Sequence, residues 1–120
     1  MAKHLETGQS GEIAALQYIE NLGYRVLERN WRYKHLEVDI IAMDGPILLF
    51  IEVKTRRSSL YGLPYEAVSY QKQQKLDRAA NLYISYIRHT GEIRFDIISI
   101  LIEDSTQHRI EYIKDAFWPE

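Results

Sequence analysis

Asp39, Glu52 and Lys54 are the residues of this chain whose types and spacing could do chemistry: two carboxylates and an amine on consecutive apolar segments. The run Ile47–Ile51 is apolar throughout and reads as a strand buried on both faces, with Glu52 and Lys54 towards its far end. Charge on such a strand is costly unless it is paired or bound to a metal. Two carboxylates that meet on one face can share Mg2+ or Mn2+, a hard cation that takes oxygen ligands at about 2.0–2.1 Å and leaves room for water and a phosphate oxygen. An ammonium beside them offsets part of the repulsion and stabilises charge developing on a phosphoryl group. That combination suits hydrolysis of phosphodiesters. The plainer reading is a solvated acidic face on which Lys54 serves as ion-pair partner.

The surrounding elements must bring these groups together. Helical spacing of Ile13, Leu16, Ile19 and Leu22 predicts a first helix capped by Ser10, with Glu12 in its first turn and Gly23 as its stop. Tyr24–Trp31 and Glu37–Met43 read as strands, and the Asp44-Gly45 pair ahead of the strand Ile47–Lys54 signals a hairpin. Thr55–Pro64 contains Ser58, Ser59, Gly62 and Pro64 and reads as a loop. Glu66–Arg88 is the longest predicted helix, with Leu76, Ala79, Ala80, Tyr83, Ile84 and Ile87 on its core stripe. Ile93–Ile102 and Arg109–Ile113 follow as strands around a polar turn. The order α, β, β, β, α, β, β over residues 1–120 predicts one α/β domain with a central mixed sheet flanked by helices.

Centring the hairpin on Asp44-Gly45 pairs Asp39 with Phe50 and Glu37 with Glu52. Opposite residues share a face and side chains alternate along a strand, so Glu37, Asp39, Glu52 and Lys54 gather on one side of the sheet. Asp39 and Glu52 become diagonal neighbours, about 7–8 Å apart at the backbone, a gap two side chains can close onto one cation. Glu37 is a further candidate ligand. His35 would come opposite Lys54 if its strand extends that far, against the plainer reading of an exposed turn residue.

Composition narrows the partners. The chain has 120 residues and no cysteine, which removes disulfides and thiolate chemistry and fits a cytoplasmic protein. Its apolar runs are far too short to span a bilayer, so no membrane role is expected. A net charge of −2 is not that of a strongly basic nucleic-acid binder, and any such role rests on local charge. That charge is uneven: Lys54, Arg56, Arg57, Lys72, Lys75 and Arg78 cluster against only Glu66 and Asp77, whereas the segment from Glu92 onward is acidic. Arg56, Arg57, Lys72 and Lys75 are candidates to contact phosphates. Tyr70, Tyr83 and Tyr86 read as core or rim, and Trp31 is open between core and stacking roles.

The wider sequence resembles the YraN-like family of small bacterial proteins, grouped with the PD-(D/E)XK, restriction-endonuclease-like nuclease superfamily. The resemblance spans nearly the whole chain. It rests on Gly8, Gly11, Glu12 and Ala15, on Gly23-Tyr24, on Arg29-Asn30-Trp31-Arg32 and on Glu37-Val38-Asp39-Ile40-Ile41-Ala42. It continues through Phe50-Ile51-Glu52-Val53-Lys54-Thr55-Arg56, Gly62, Glu66-Ala67-Val68, Lys72, Arg94-Phe95-Asp96 and Ala116-Phe117. The resemblance implies a restriction-endonuclease-like core, metal binding by Asp39 and Glu52, a catalytic role for Lys54, and an acid from the first helix at Glu12. Leu36 stands where relatives commonly carry glycine and Val38 where the superfamily pattern has proline, departures that bear on backbone shape more than on chemistry.

The expectation is therefore a Mg2+- or Mn2+-dependent nuclease acting on nucleic acid, DNA first, with room for a homodimer. Two rivals stand beside it: a module that binds nucleic acid without cutting, and a protein-interaction scaffold that uses the acidic C-terminal part.

Overall fold

Two helices enclose a five-stranded sheet because the chain carries two separate sets of apolar residues, one for each sheet face. The computed structural model describes residues 7–57, 68–103 and 107–118. In chain order the elements are α1 (Thr7–Asn21), β1 (Arg25–Tyr33), β2 (Leu36–Asp44), β3 (Ile47–Arg56), α2 (Tyr70–Ile87), β4 (Ile93–Ile102) and β5 (His108–Ile113), the predicted order. The strands lie side by side in sequence order, antiparallel except for the parallel β3–β4 pair. This mixed sheet with its two helices is an α/β fold consistent with a restriction-endonuclease-like core.

On one face α1 sets Ala15, Leu16 and Ile19 into a core with Ile40, Ala42, Leu49, Ile51, Ile98 and Ile100. On the other, α2 sets Leu76, Ala79, Ala80 and Tyr83 against Ile41, Leu48, Phe50, Phe95 and Ile97. The central strand β3 is covered from both sides, which explains an apolar run without alternation. No helix among the described residues is long and apolar enough to cross a membrane.

Several boundaries differ from expectation for identifiable reasons. α1 starts at Thr7, ahead of the predicted Ser10 cap, and Gly11 lies within it. There the helix meets β3 so closely that a Cβ on Gly11 would lie 1.9 Å from Thr55 Oγ1. β3 continues through Thr55 and Arg56, predicted as loop, because both pair with β4 at Ile100 and Leu101. α2 begins at Tyr70, where extended Ser69 accepts the Lys72 N–H at 3.1 Å as an N-cap. Glu66, predicted to open this helix, and Ser58–Pro64 of the predicted loop lie outside the described residues, as do 104–106 of the polar turn.

The hairpin register is corrected. Asp44 pairs with Ile47 and Ile40 with Ile51, so the two-residue turn is Gly45-Pro46 rather than Asp44-Gly45. The predicted register would have closed the hairpin on the N–H of residue 46, and proline has none. Gly45 instead takes the first central position with φ 57, where a primed hairpin turn requires left-handed backbone. In this register Phe50 lies opposite Ile41 rather than Asp39, and the ladder ends at Ile40 and Ile51, one residue short of Asp39 and Glu52. A slip of two residues keeps every β3 side chain on its original face, whereas a slip of one would have reversed them.

The Arg94-Phe95-Asp96 stretch of β4 fastens the end of the chain. Asp96 is fully buried. Arg94 grips it from Nε and Nη2 at 2.9 and 3.0 Å, the Tyr112 hydroxyl donates to Oδ2, and the Asp115 N–H donates to Oδ1 at 2.9 Å. Hydrogen bonding to Asp96 holds the Arg94 guanidinium charged, while burial and then the bond to Asp96 hold the Tyr112 hydroxyl protonated. The Ala116 N–H bonds the Phe95 carbonyl at 2.8 Å, and Phe117 stacks on Phe95 at 5.4 Å between centroids. Ala116-Phe117 is thus tied to the start of β4.

Candidate functional site

β2 and β3 stop pairing before either strand ends. Their ladder runs only to Ile40 and Ile51, while β2 reaches back to Leu36 and β3 on to Arg56. Beyond that point the Asp39 carboxylate stands in for a backbone partner, its Oδ2 accepting the Val53 N–H at 2.8 Å. The strands part around this side chain, within electrostatic reach of Glu12 near the start of α1 and Lys72 near the start of α2.

The neighbouring strand is irregular at the same level. Arg29 pairs with Ile40 and Trp31 with Val38, but Asn30 between them stands at φ 51. Asparagine adopts this left-handed conformation more readily than other residues with a side chain, glycine apart. Leu36 and Val38 pack into the α2 core, whereas Ile40 and Ala42 pack into the α1 core. Regular alternation would keep all four on one side, so β2 exchanges faces at Asp39.

Glu52 is only 4% exposed. Lys72 Nζ from α2 stands 3.5 Å from its Oε2, and Lys54 Nζ stands 3.8 Å from the same oxygen. Burial, and after it the Asp39 charge, push the Glu52 carboxyl from 4.5 up to about 7 against the pull of Lys72 and Lys54. Burial likewise raises Asp39, opposed by the Val53 N–H and by Lys72 and reinforced by Glu12 and Glu37. Both acids therefore sit where a nearby positive charge is strongly favoured.

Glu12 enters from α1. The close Gly11–Thr55 contact seats the helix on β3, and Glu12 Oε1 accepts a hydrogen bond from Asn30 Nδ2 at 2.9 Å with Arg29 Nη2 3.9 Å away. Gly11 is therefore explained by helix–strand packing. Glu37 does not join the other acids by a direct contact: its Oε2 pairs with Arg32 Nη2 at 3.3 Å, because the exchange of faces at Asp39 ends the predicted common row. His35 is exposed in the turn between β1 and β2. Arg56 ends β3 with Arg57 just beyond it, and Lys75 is exposed on α2. Tyr83 is core and meets Trp31 edge-on at 5.6 Å, while Tyr70 and Tyr86 are exposed.

Two contacts go beyond the sequence expectations. Lys72 reads from sequence only as a phosphate contact, yet its ammonium lies 3.5 Å from Glu52 Oε2, a pairing set by which way α2 faces. Asn30 carries no expected role, although an asparagine in mid-strand is itself a sign of unusual backbone.

Among the described residues no group of three or more His, Asp or Glu side chains is disposed to hold a metal ion. Asp39 and Glu52 make a two-carboxylate site. Its all-oxygen donors, each raised by burial, suit a hard divalent cation that keeps part of its shell as water, and do not suit a closed protein cage.

Fold and site together define a class: a small α/β protein with a mixed sheet, in which an acid–lysine cluster occupies the point where two central strands separate and a helix supplies a further acid. Residues 11–100 match the model of the uncharacterised protein family UPF0102. A UPF0102 protein of Alkaliphilus metalliredigens is 47% identical over 120 residues, covering 98% of this chain and 100% of the relative. Those of Chlorobium chlorochromatii and Bacteroides thetaiotaomicron are each 43% identical, over 96% and 99% of this chain and 93% and 98% of their own lengths. The chain belongs to the UPF0102 family, the YraN-like family its motifs resemble.

Proposed function

We propose that this protein is a cytoplasmic nuclease that uses Mg2+ or Mn2+ to hydrolyse phosphodiester bonds in nucleic acid, DNA first. One observation carries the reading: Asp39 and Glu52, both raised by burial, meet at the parting of β2 and β3 with two lysines on Glu52. Asp39 and Glu52 would hold the cation, which when bound polarises the scissile phosphate and lowers the pKa of a water molecule. The Val53 N–H fixes Asp39, so one carboxylate is set in place before any ligand arrives. Lys54 offers its ammonium to the charge that builds on the phosphate. Glu12, held by Asn30, adds an outer acid on the α1 side, and Arg56, Arg57 and Lys75 extend the basic surface to flanking phosphates.

Calorimetric titration with Mn2+ tests the site. Binding to the wild type should be lost in Asp39→Asn and in Glu52→Gln, and unchanged titrations in both variants would sink the metal assignment. Incubation with junction, flap, single-stranded and duplex DNA in Mn2+ tests the activity, with Lys54→Ala as the inactive control. A protein that shifts these DNAs in a salt-dependent way yet leaves all four uncut is a binding module rather than a nuclease.

A further inference from the structure

Lys72 is placed with more care than a surface lysine needs. Ser69 Oγ accepts its backbone N–H at 3.1 Å, the Ser69 carbonyl accepts the Gln73 N–H at 2.9 Å, and Gln73 Nε2 reaches back to the Val68 carbonyl at 3.2 Å. Val68 is itself buried in the α2 core. The first turn of α2 is thereby fastened at the residue whose ammonium lies 3.5 Å from Glu52 Oε2, and the same ammonium acts on Asp39.

Charge count then sets a conflict. With both carboxylates ionised, Asp39 and Glu52 balance the charges of Lys54 and Lys72. A divalent cation taken up by the two carboxylates adds two positive charges beside two ammoniums, and like charges in a partly buried site repel strongly. Lys54 is carried by β3 itself, two residues from Glu52. Lys72 comes from a separate element on a long flexible stem, so its side chain can withdraw without moving the sheet.

We infer that Lys72 is the resident counter-cation of the Asp39–Glu52 pair: it competes with the divalent metal for Glu52, leaves when the metal binds, and then turns to a phosphate oxygen of the substrate. This rests on the metal reading given above. Metal and substrate are thereby coupled, because a phosphodiester offers the displaced ammonium a new partner and lowers the cost of displacing it.

The test is a calorimetric titration with Mn2+ alone, with no nucleic acid present. Lys72→Met keeps a long, helix-compatible side chain and removes the charge. It should bind Mn2+ roughly tenfold more tightly than the wild type, a modest share of the repulsion between unlike-sized charges at this range. Lys72→Arg should bind no more tightly than the wild type, and Arg78→Met, further along α2, should match it. Unchanged affinity in Lys72→Met alongside lost binding in Glu52→Gln overturns the competition while leaving the metal site intact. Absence of binding to the wild type overturns the metal reading itself. Should Lys72→Met fail to fold, the wild type decides the matter: the 13C-methyl resonance of reductively methylated Lys72, assigned by its absence from Lys72→Arg, should move in step with Mg2+ binding. A resonance that stays fixed at saturating Mg2+ overturns the inference.

Discussion

Replacing Glu52 with glutamine should make the protein more stable at neutral pH and remove much of its pH dependence. The folded protein holds the Glu52 proton up to about pH 7, whereas an ordinary glutamate releases it near 4.5. Across that window the folded state carries the extra proton, so stability falls as pH rises through it and the loss is complete above about 7. The interval corresponds to about 3 kcal/mol, already net of the help from Lys54 and Lys72. Glutamine keeps the shape of the side chain and has no such charge to desolvate. Urea unfolding of the metal-free protein between pH 4.5 and 8 should show curves that coincide at the acid end and diverge above it, with the variant ahead by about 3 kcal/mol at pH 7.5, or roughly 10 °C in Tm. Asp39, raised by burial in the same sense, leaves a smaller slope of the same sign in the variant. Mg2+ at a hundred times its Kd should restore about 2.7 kcal/mol to the wild type and nothing to the variant. Parallel pH curves, or a variant less stable than the wild type at pH 7.5, would refute the assignment of Glu52 as a strained, charge-seeking acid.

Gly11→Ala opposes two effects: alanine favours a helix by about 1 kcal/mol, but its Cβ would fall 1.9 Å from Thr55 Oγ1. Overpacking should win by about 1–3 kcal/mol in urea unfolding, and adding Thr55→Ala should recover part of the loss. Asp96→Asn leaves Arg94 without its buried partner and should cost about 3–5 kcal/mol. Hydrogen exchange at the Ala116 amide should quicken in the same variant, because the bonds that hold the end of the chain to β4 loosen together.

The element order was legible because each apolar run advertises its own period, and the buried run of β3 could only be central. The common face of Glu52 and Lys54 was legible too, since a two-residue error in register does not change which way β3 side chains point. The register itself was not, because Asp44-Gly45 and Gly45-Pro46 are both turn signals and only the missing proline N–H separates them. Glu37 was misplaced for a different reason: alternation is a rule for regular strands, and β2 ceases to be regular at Asp39. The Lys72–Glu52 pair lies between elements distant in sequence, and no local pattern specifies which way α2 faces when it docks.

The Gly45-Pro46 turn acquires a consequence from this geometry. It lies roughly 17 Å along β3 from Glu52, far from the acid–lysine cluster, yet it meters how much chain is spent before β3 sets out. Two residues deliver Glu52 beside Asp39. A slip of one residue in the register set there would hand Val53 to the α2 side and turn Glu52 towards α1, with every side chain intact and none where the others are. The turn works as a ruler for the acid–lysine cluster, which depends as much on its length as on the acids themselves.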